Sequence, residues 1–347
     1  MSEGRETIVA IRPRTLGDVV LTTPALRALK RGHADAALEV VTEARYAPLL
    51  VGLEGIDRVW PLERSVGSTL ALARRLARRR VRAVVDFFGN GRTALLTAAC
   101  GARLTAGYDL RGRRLAYRRR VARTLAPAPG RREYAAATHV RLAVAAGGIE
   151  DGLETRVAVP PAAAARAAGL LAACGARGAV GLVAAGTWPA KTWPVAHAAL
   201  LSRRLLAAGQ RVLLLAGPKE ESLNARLQAL APGVAVLPPC DVGTLAGVIA
   251  GLRAVVGTDS GPRHLAAALG VPSFAWFGPT HPDTWSPPGA RHGAWWTELP
   301  CRGCDRTRCP HWNCLPGLFP DHAAQLVLAH LEAHPHGPAA LGPAARA

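Results

Sequence analysis

Apolar positions along this chain follow two patterns: short β-branched runs with few polar gaps, and longer Ala/Leu/Arg stretches in which apolar residues recur every three to four positions. In the first half the runs "IVAI", "LEVV", "DRVW" and "AVVDFF" are each followed by a helical segment, over 18–31, 44–52, 66–80 and 91–100. Runs without alternation predict strands buried on both faces, and their succession with helices predicts parallel βαβ units in a Rossmann-like sheet. The stretch "RGRRLAYRRRVARTLAPAPGRR", 111–132, breaks the rhythm and reads as an irregular, strongly basic excursion. A helix is predicted over 134–147.

Next comes "VAVPPAAAARAAGLLAACGARG", in which Pro160-Pro161 is read as ending a strand and opening an Ala-rich helix. The domain boundary falls within 155–175, dividing the chain into 1–160 and 161–334. Beyond it the alternation restarts: "AVGLVAAG", helix 195–208, "RVLLLAG", helix 219–230, "VAVL", helix 242–250, "RAVVG", helix 261–269 and "SFAWFG". The expected fold class is α/β, with two Rossmann-like, doubly wound domains facing an inter-domain cleft at the carboxyl ends of their strands. The Pro/Ala/Gly/His-rich segment 335–347 is predicted to be a disordered tail.

Size and charge refine this picture. A chain of 347 residues suits two domains of roughly 150 residues, each able to bury a core. The formal net charge is +19, with most of the excess in the first 160 residues, so polyanionic partners are favoured over cationic ones. Only Lys30, Lys191 and Lys219 are lysines, and the Arg bias is discounted as compositional. The start shows no charged-then-apolar signal architecture, and no apolar run approaches the roughly 18 residues of a membrane span. A cytoplasmic protein is expected.

Three loops carry the candidate chemistry. In "RTLGDVV", Gly17 allows a tight turn or close approach to a ligand, and Asp18 falls in the first helical turn. Asp18 is either an ordinary helix-start carboxylate, stabilising by about 0.3 to 1 kcal/mol, or a functional acid. In "AAGTWPAKTWP", 184–194, Gly186-Thr187 can present backbone amides and a hydroxyl, and Lys191 a mobile cation suited to phosphate. Trp193-Pro194 reads as helix start and packing. In "GTDSGPRH", Thr258, Asp259, Ser260 and Gly261 form a polar turn at a helix N-terminus that suits a diphosphate, with His264 one turn on. Asp259 would repel that diphosphate, so neutral sugar hydroxyls fit it better; helix capping by Asp259 or Ser260 and a structural His264 are the bland alternatives. No G-x-x-x-x-G-K-[ST] loop and no G-x-G-x-x-G after either first strand occurs, which argues against P-loop and ordinary NAD enzymes.

The segments "RTLGDVVLTTPALRALKR", "KTWP" and "GTDSGPRHLAAALGVPSFAWFGPTHPDTW", in this order and spacing, resemble glycosyltransferase family 9, the ADP-heptose:lipopolysaccharide heptosyltransferases, over about residues 7–330. The resemblance implies a GT-B fold, an acceptor on the N-terminal domain, a nucleotide-sugar in the C-terminal domain, and inverting, metal-independent transfer to a lipopolysaccharide-core or related surface glycan. It implies that Asp18 is the general base and Lys191 the diphosphate-binding lysine. It further implies that Asp259 contacts the donor sugar and that Thr187 with the Ser260-Gly261 amides cradles phosphate. The first loop reads "RPRTLGDVVL" and lacks the serines of heptosyltransferase I, so another nucleotide sugar and another cell-surface glycan form the alternative.

The basic first half, around 74–82 and 111–123, would then hold an anionic lipid-linked acceptor at the inner face of the plasma membrane. "CRGCDRTRCPHWNC" places Cys301, Cys304, Cys309 and Cys314 within one zinc's reach, with His311 as a spare ligand. A structural zinc is one reading; loop packing and exposed thiols are the other. A zinc-containing nucleic-acid-binding protein is the rival from another class, disfavoured because no basic motif is interleaved with aromatics. No cofactor is expected for catalysis, and nucleic acid is not an expected partner.

Overall fold

The apolar runs become parallel strands in a computed structural model of the chain that describes residues 5–128, 130–217 and 220–335. Strand β1, Thr7–Ile11, and strand β2, Ala37–Thr42, are buried at every position. Such burial needs helices on both faces, and the connecting segments supply them. Helix α1, Leu16–Gly32, turns its apolar positions inward and keeps Lys30 and Arg31 in its last turn, where their charge suits the helix dipole. The chain divides into two units, Met1–Pro160 and Pro161–Ala347.

The first unit continues with β3 (Arg58–Pro61), α2 (Val66–Ala77), β4 (Val81–Asp86), α3 (Gly91–Ala99), β5 (Leu104–Tyr108), β6 (Arg119–Val121) and α4 (Ala135–Ala145). Its six strands lie in the order β3-β2-β1-β4-β5-β6, every pairing parallel. The second unit opens with α5 (Pro161–Ala173) and β7 (Val180–Val183), then α6 (Val195–Ala207), β8 (Val212–Leu214), α7 (Glu221–Leu230) and β9 (Ala235–Val236). It closes with α8 (Val242–Ala250), β10 (Ala254–Thr258), α9 (Gly261–Ala268), β11 (Ser273–Phe277), α10 (Pro282–Trp285), β12 (His292–Trp296) and α11 (Pro320–Ala333).

The second sheet, β12-β11-β10-β7-β8-β9, repeats the same doubly wound order. In each sheet the order reverses beside the first strand, between β1 and β4 and between β7 and β10. Ligand-binding loops of open α/β sheets gather at that reversal. All three candidate loops sit there: Gly17-Asp18 after β1, Thr187 to Lys191 after β7, and Asp259 to Gly261 after β10.

Several expectations are corrected. Residues 154–160 form no strand before α5, because the double proline removes consecutive ladder donors. Residues Ala44–Leu49 form a 3-10 helix, shorter than expected, with Pro48 inside it. The basic excursion contains a 3-10 turn, Arg114–Ala116, and the edge strand β6. Its polar, Arg-rich sequence suits an edge position open to solvent. The strands β5 and β12 and the helix α11 were not anticipated. Residues 336–347 of the expected tail, and Lys219 at the expected start of α7, lie outside the described residues. Among those residues no helix is long and apolar enough to cross a membrane.

Candidate functional site

In the first unit, β1 runs directly into Arg12, whose side chain is only 3% exposed. One of its guanidinium nitrogens lies 2.5 Å from Oδ1 of Asp18, and another donates to the Phe87 carbonyl at the end of β4. The guanidinium also rests over the Phe88 ring, 5.4 Å from its centroid. Asp18 is the third residue of α1 and reaches back to the chain before it: its Oδ2 accepts from the Thr15 amide at 3.2 Å and the Thr15 hydroxyl at 2.9 Å. Helix-start carboxylates commonly make this reciprocal contact. What exceeds capping is the buried arginine on the other oxygen.

The Asp18 side chain remains 22% exposed, so an incoming hydroxyl can reach it. Burial pushes its pKa up, but Arg12 and the Thr15 donors outweigh this and hold the carboxyl below its ordinary value. His139, on α4, is buried, with Nδ1 2.5 Å from the Tyr108 hydroxyl. Burial and the Arg12 charge push its pKa well down, so the ring is neutral. Behind them Asp86 accepts from the Tyr117 hydroxyl at 2.6 Å and the amides of Phe88 and Gly89 at 2.9 and 3.0 Å. Those bonds fix the turn whose Phe87 carbonyl holds Arg12. Gly17 lies inside the first turn of α1 and has no left-handed backbone, so of the two uses read for it, close approach to a ligand is the one its helical position leaves open.

In the second unit, the turn after β7 doubles back so closely that a Cβ on Gly186 would meet the Lys191 Cβ at 2.4 Å. Only glycine permits that approach, and it delivers Lys191 to Asp259 at 2.8 Å. Both side chains are largely buried, at 11% and 3% exposure. The ammonium also lies 5.2 Å from the Trp188 ring centroid. Asp259 accepts a second bond from the Thr280 hydroxyl at 2.8 Å, and His264 Nε2 stands 4.0 Å from its other oxygen. Burial pushes Asp259 up, but Lys191, His264 and the Thr280 bond hold its carboxyl below the usual value.

Helix capping is therefore not what these residues do. Ser260 occupies the N-cap position of α9, yet its side chain makes no capping bond, and the Asp259 carboxylate points to Lys191 and Thr280 instead. Among the described residues the buried hydroxyls of Thr258 and Ser260 have no hydrogen-bond partner. Thr187 is exposed on the turn. The structure thus gathers Lys191, Asp259 and His264, with the amide-bearing Ser260-Gly261 start of α9 alongside, while Gly17 and Asp18 belong to the other unit.

Among the described residues no group of three or more His, Cys, Asp or Glu side chains is arranged to hold a metal ion. Cys301 and Cys304 are exposed, whereas Cys309 and Cys314 are half-buried, and His311 is exposed. Four thiolates must converge on one point about 2.3 Å away to bind zinc; hydrogen bonds to the Lys191 turn also shape the segment. Trp312 donates its indole N-H to the Ala190 carbonyl at 3.2 Å, and the Ala190 amide donates to the Thr307 carbonyl at 3.2 Å. Trp193, fully buried as expected for a packing residue, donates to the carbonyls of Leu315 and Leu318. The cysteine-bearing segment is a brace for the Lys191 turn.

Sequence reasoning passed over Arg12, Thr15, His139 and Thr280. Arg12 was hidden by the abundance of arginine. Its one signal was position, as a charged residue immediately after a fully apolar strand.

The sequence pattern of glycosyltransferase family 9 (heptosyltransferase) matches residues 69–314. The chain is 38% identical to lipopolysaccharide heptosyltransferase 1 of Pseudomonas aeruginosa over 126 residues, 36% of each protein. The match thus spans about a third of that relative's length. It is 25% identical to lipopolysaccharide heptosyltransferase 3 of Escherichia coli over 288 residues, 78% of this chain and 83% of that one. The solved structure of the E. coli ADP-heptose lipopolysaccharide heptosyltransferase II superposes with a TM-score of 0.79 at 20% identity, covering 95% of this chain and 100% of that one. That likeness establishes the two-domain GT-B fold.

Proposed function

Because the chain belongs to glycosyltransferase family 9, the heptosyltransferase family, we propose that it transfers heptose from ADP-heptose to a lipopolysaccharide-core acceptor with inversion at the anomeric carbon. The observation that supports this most directly is the buried Lys191-Asp259-Thr280 group at the strand-order reversal, beside the N-terminus of α9. A cation and free amides there suit a diphosphate, and a carboxylate already neutralised by Lys191 can face sugar hydroxyls without repelling the phosphates.

In the proposed step Asp18 takes the proton of the acceptor hydroxyl as that oxygen bonds to the anomeric carbon. The bond from that carbon to the diphosphate breaks at the same time, and ADP leaves with the electron pair. Lys191, Thr187 and the Ser260-Gly261 amides stabilise the charge on the leaving diphosphate. The first unit holds the acceptor and the second the donor. The enzyme works in the cytoplasm at the inner membrane face, where its basic first unit meets an anionic lipid-linked acceptor.

Asp18→Asn should lower kcat by about 100- to 10,000-fold, the span of general-base contributions, while leaving the calorimetric Kd for ADP within about twofold. Full kcat in that variant would remove Asp18 from the chemistry. A thermal-shift screen across ADP, UDP, GDP, CDP and their sugars tests the donor: stabilisation by ADP and ADP-heptose alone supports heptose transfer. A shift confined to another nucleotide would favour a different sugar and glycan.

A further inference from the structure

The carboxylate read above as the proton acceptor has both oxygens committed before any substrate arrives. Oδ2 holds the Thr15 amide and hydroxyl, and Oδ1 holds Arg12. Arg12 is itself fixed from two further sides, by the Phe87 carbonyl and the Phe88 ring. Phe87 and Phe88 are placed by Asp86, whose carboxylate ties down the turn after β4. A chain of contacts therefore runs from the interior of the sheet to one carboxylate at the helix start.

We infer that Arg12 is a positioning residue for the transfer reaction, setting the angle of the Asp18 carboxylate and keeping it ionised when the acceptor hydroxyl arrives. This rests on the reading of Asp18 as the base. A free aspartate rotates about two bonds and spends part of its time turned away. An aspartate held by a buried guanidinium on one oxygen and a helix cap on the other presents only its remaining lone pairs. Small misplacements of reacting groups cost heavily, on the order of 100-fold for about 1 Å.

The groups around Asp18 can be named. Arg12 supplies the positive charge from the end of β1. From α4, His139 faces it as a neutral ring whose Nδ1 is taken by Tyr108, so it contributes no competing cation. Arg14 also lies over the Phe88 ring, 5.7 Å from its centroid. Losing Arg12 therefore removes the one cation paired with this carboxylate among the described residues, and burial then pushes the pKa up.

The test is kcat against pH, with ADP-heptose and a lipopolysaccharide-core acceptor, for wild type, Arg12→Met, Arg12→Gln and Arg12→Lys, each checked for folding by circular dichroism. The Met and Gln variants should lose about 100-fold in kcat, and their acid limb should move up by about one to two pH units. Their KM for the donor should change less than twofold. Lys, which keeps the charge, should leave the acid limb in place and lose only about tenfold.

Wild-type kcat with an unmoved limb in either neutral variant would overturn the proposal. So would a fall in thermal midpoint without a limb shift, or failure of both neutral variants to fold, since each marks a structural ion pair. Asp18→Asn run alongside separates the two readings. If it is active, the base assignment itself fails; if it is inactive while Arg12→Gln resembles wild type, only the role of Arg12 fails.

Discussion

At the scale of single residues, Asp18 and Asp259 show how one charge type is placed in two different surroundings. Both are held ionised, Asp18 by Arg12 and Asp259 by Lys191, yet Asp18 is 22% exposed and Asp259 only 3%. Exposure suits Asp18 to taking a proton; burial suits Asp259 to orienting its neighbours. A base with a depressed pKa loses activity only as pH falls through that pKa. The wild-type kcat should thus stay flat from neutrality to about pH 5 and decline only near or below the ordinary aspartate value of about 4. Thr280→Val keeps shape and removes one of the two short bonds to Asp259. Hydrogen bonds to charged groups contribute about 1.5 to 3 kcal/mol, so calorimetry should show ADP-heptose binding weakened by roughly tenfold or more, with the fold intact. The acids were legible in the sequence because each stands at a strand-to-helix turn. Lys191 and His264 were legible too, but Arg12 and Thr280 were not, since they reach the acids through space and nothing in a linear pattern couples position 280 to position 259.

At the scale of elements, most strands and helices followed from periodicity because a parallel sheet buried on both faces leaves uninterrupted apolar runs. The failures share a cause. β5, "LTAGY", and β12, "HGAWW", carry glycine or polar residues that weaken the run, and they hold their places through neighbouring strands. β10 shows how tightly such neighbours fit. Gly257 has φ +145°, and a Cβ there would stand 2.1 Å from the Val183 carbonyl oxygen. Gly257→Ala should cost about 2 to 3 kcal/mol and lower the thermal midpoint by about 5 to 10 °C in calorimetry. Because β7 and β10 flank the Lys191-Asp259 group, the same variant should also weaken nucleotide binding.

At the scale of the whole molecule, charge is the property that needs explaining. The net +19 is matched by many ion pairs on the surface of the first unit, and exposed pairs contribute little to stability. Its effect is felt by partners. Binding to vesicles containing anionic lipid should weaken strongly between 0.05 and 0.3 M salt, an approximate range chosen to shorten the Debye length from about 14 Å to about 6 Å, as read by co-sedimentation. Salt-insensitive binding would assign the arginines to composition alone. The two-domain plan was legible from the restart of alternation after Pro160-Pro161. The contacts of the cysteine segment with the Lys191 turn were not, because nothing in a linear pattern couples Thr307 and Trp312 to Ala190.

That segment has one more consequence. Two hydrogen bonds between Ala190 and the stretch from Thr307 to Trp312 run in opposite directions, one from the amide and one to the carbonyl of the same residue. A loop stitched in this way opens with its stitch or not at all. The turn that carries Lys191 and the thiol-bearing stretch are therefore tied together at a single residue, and loosening of either would be passed to the other through Ala190.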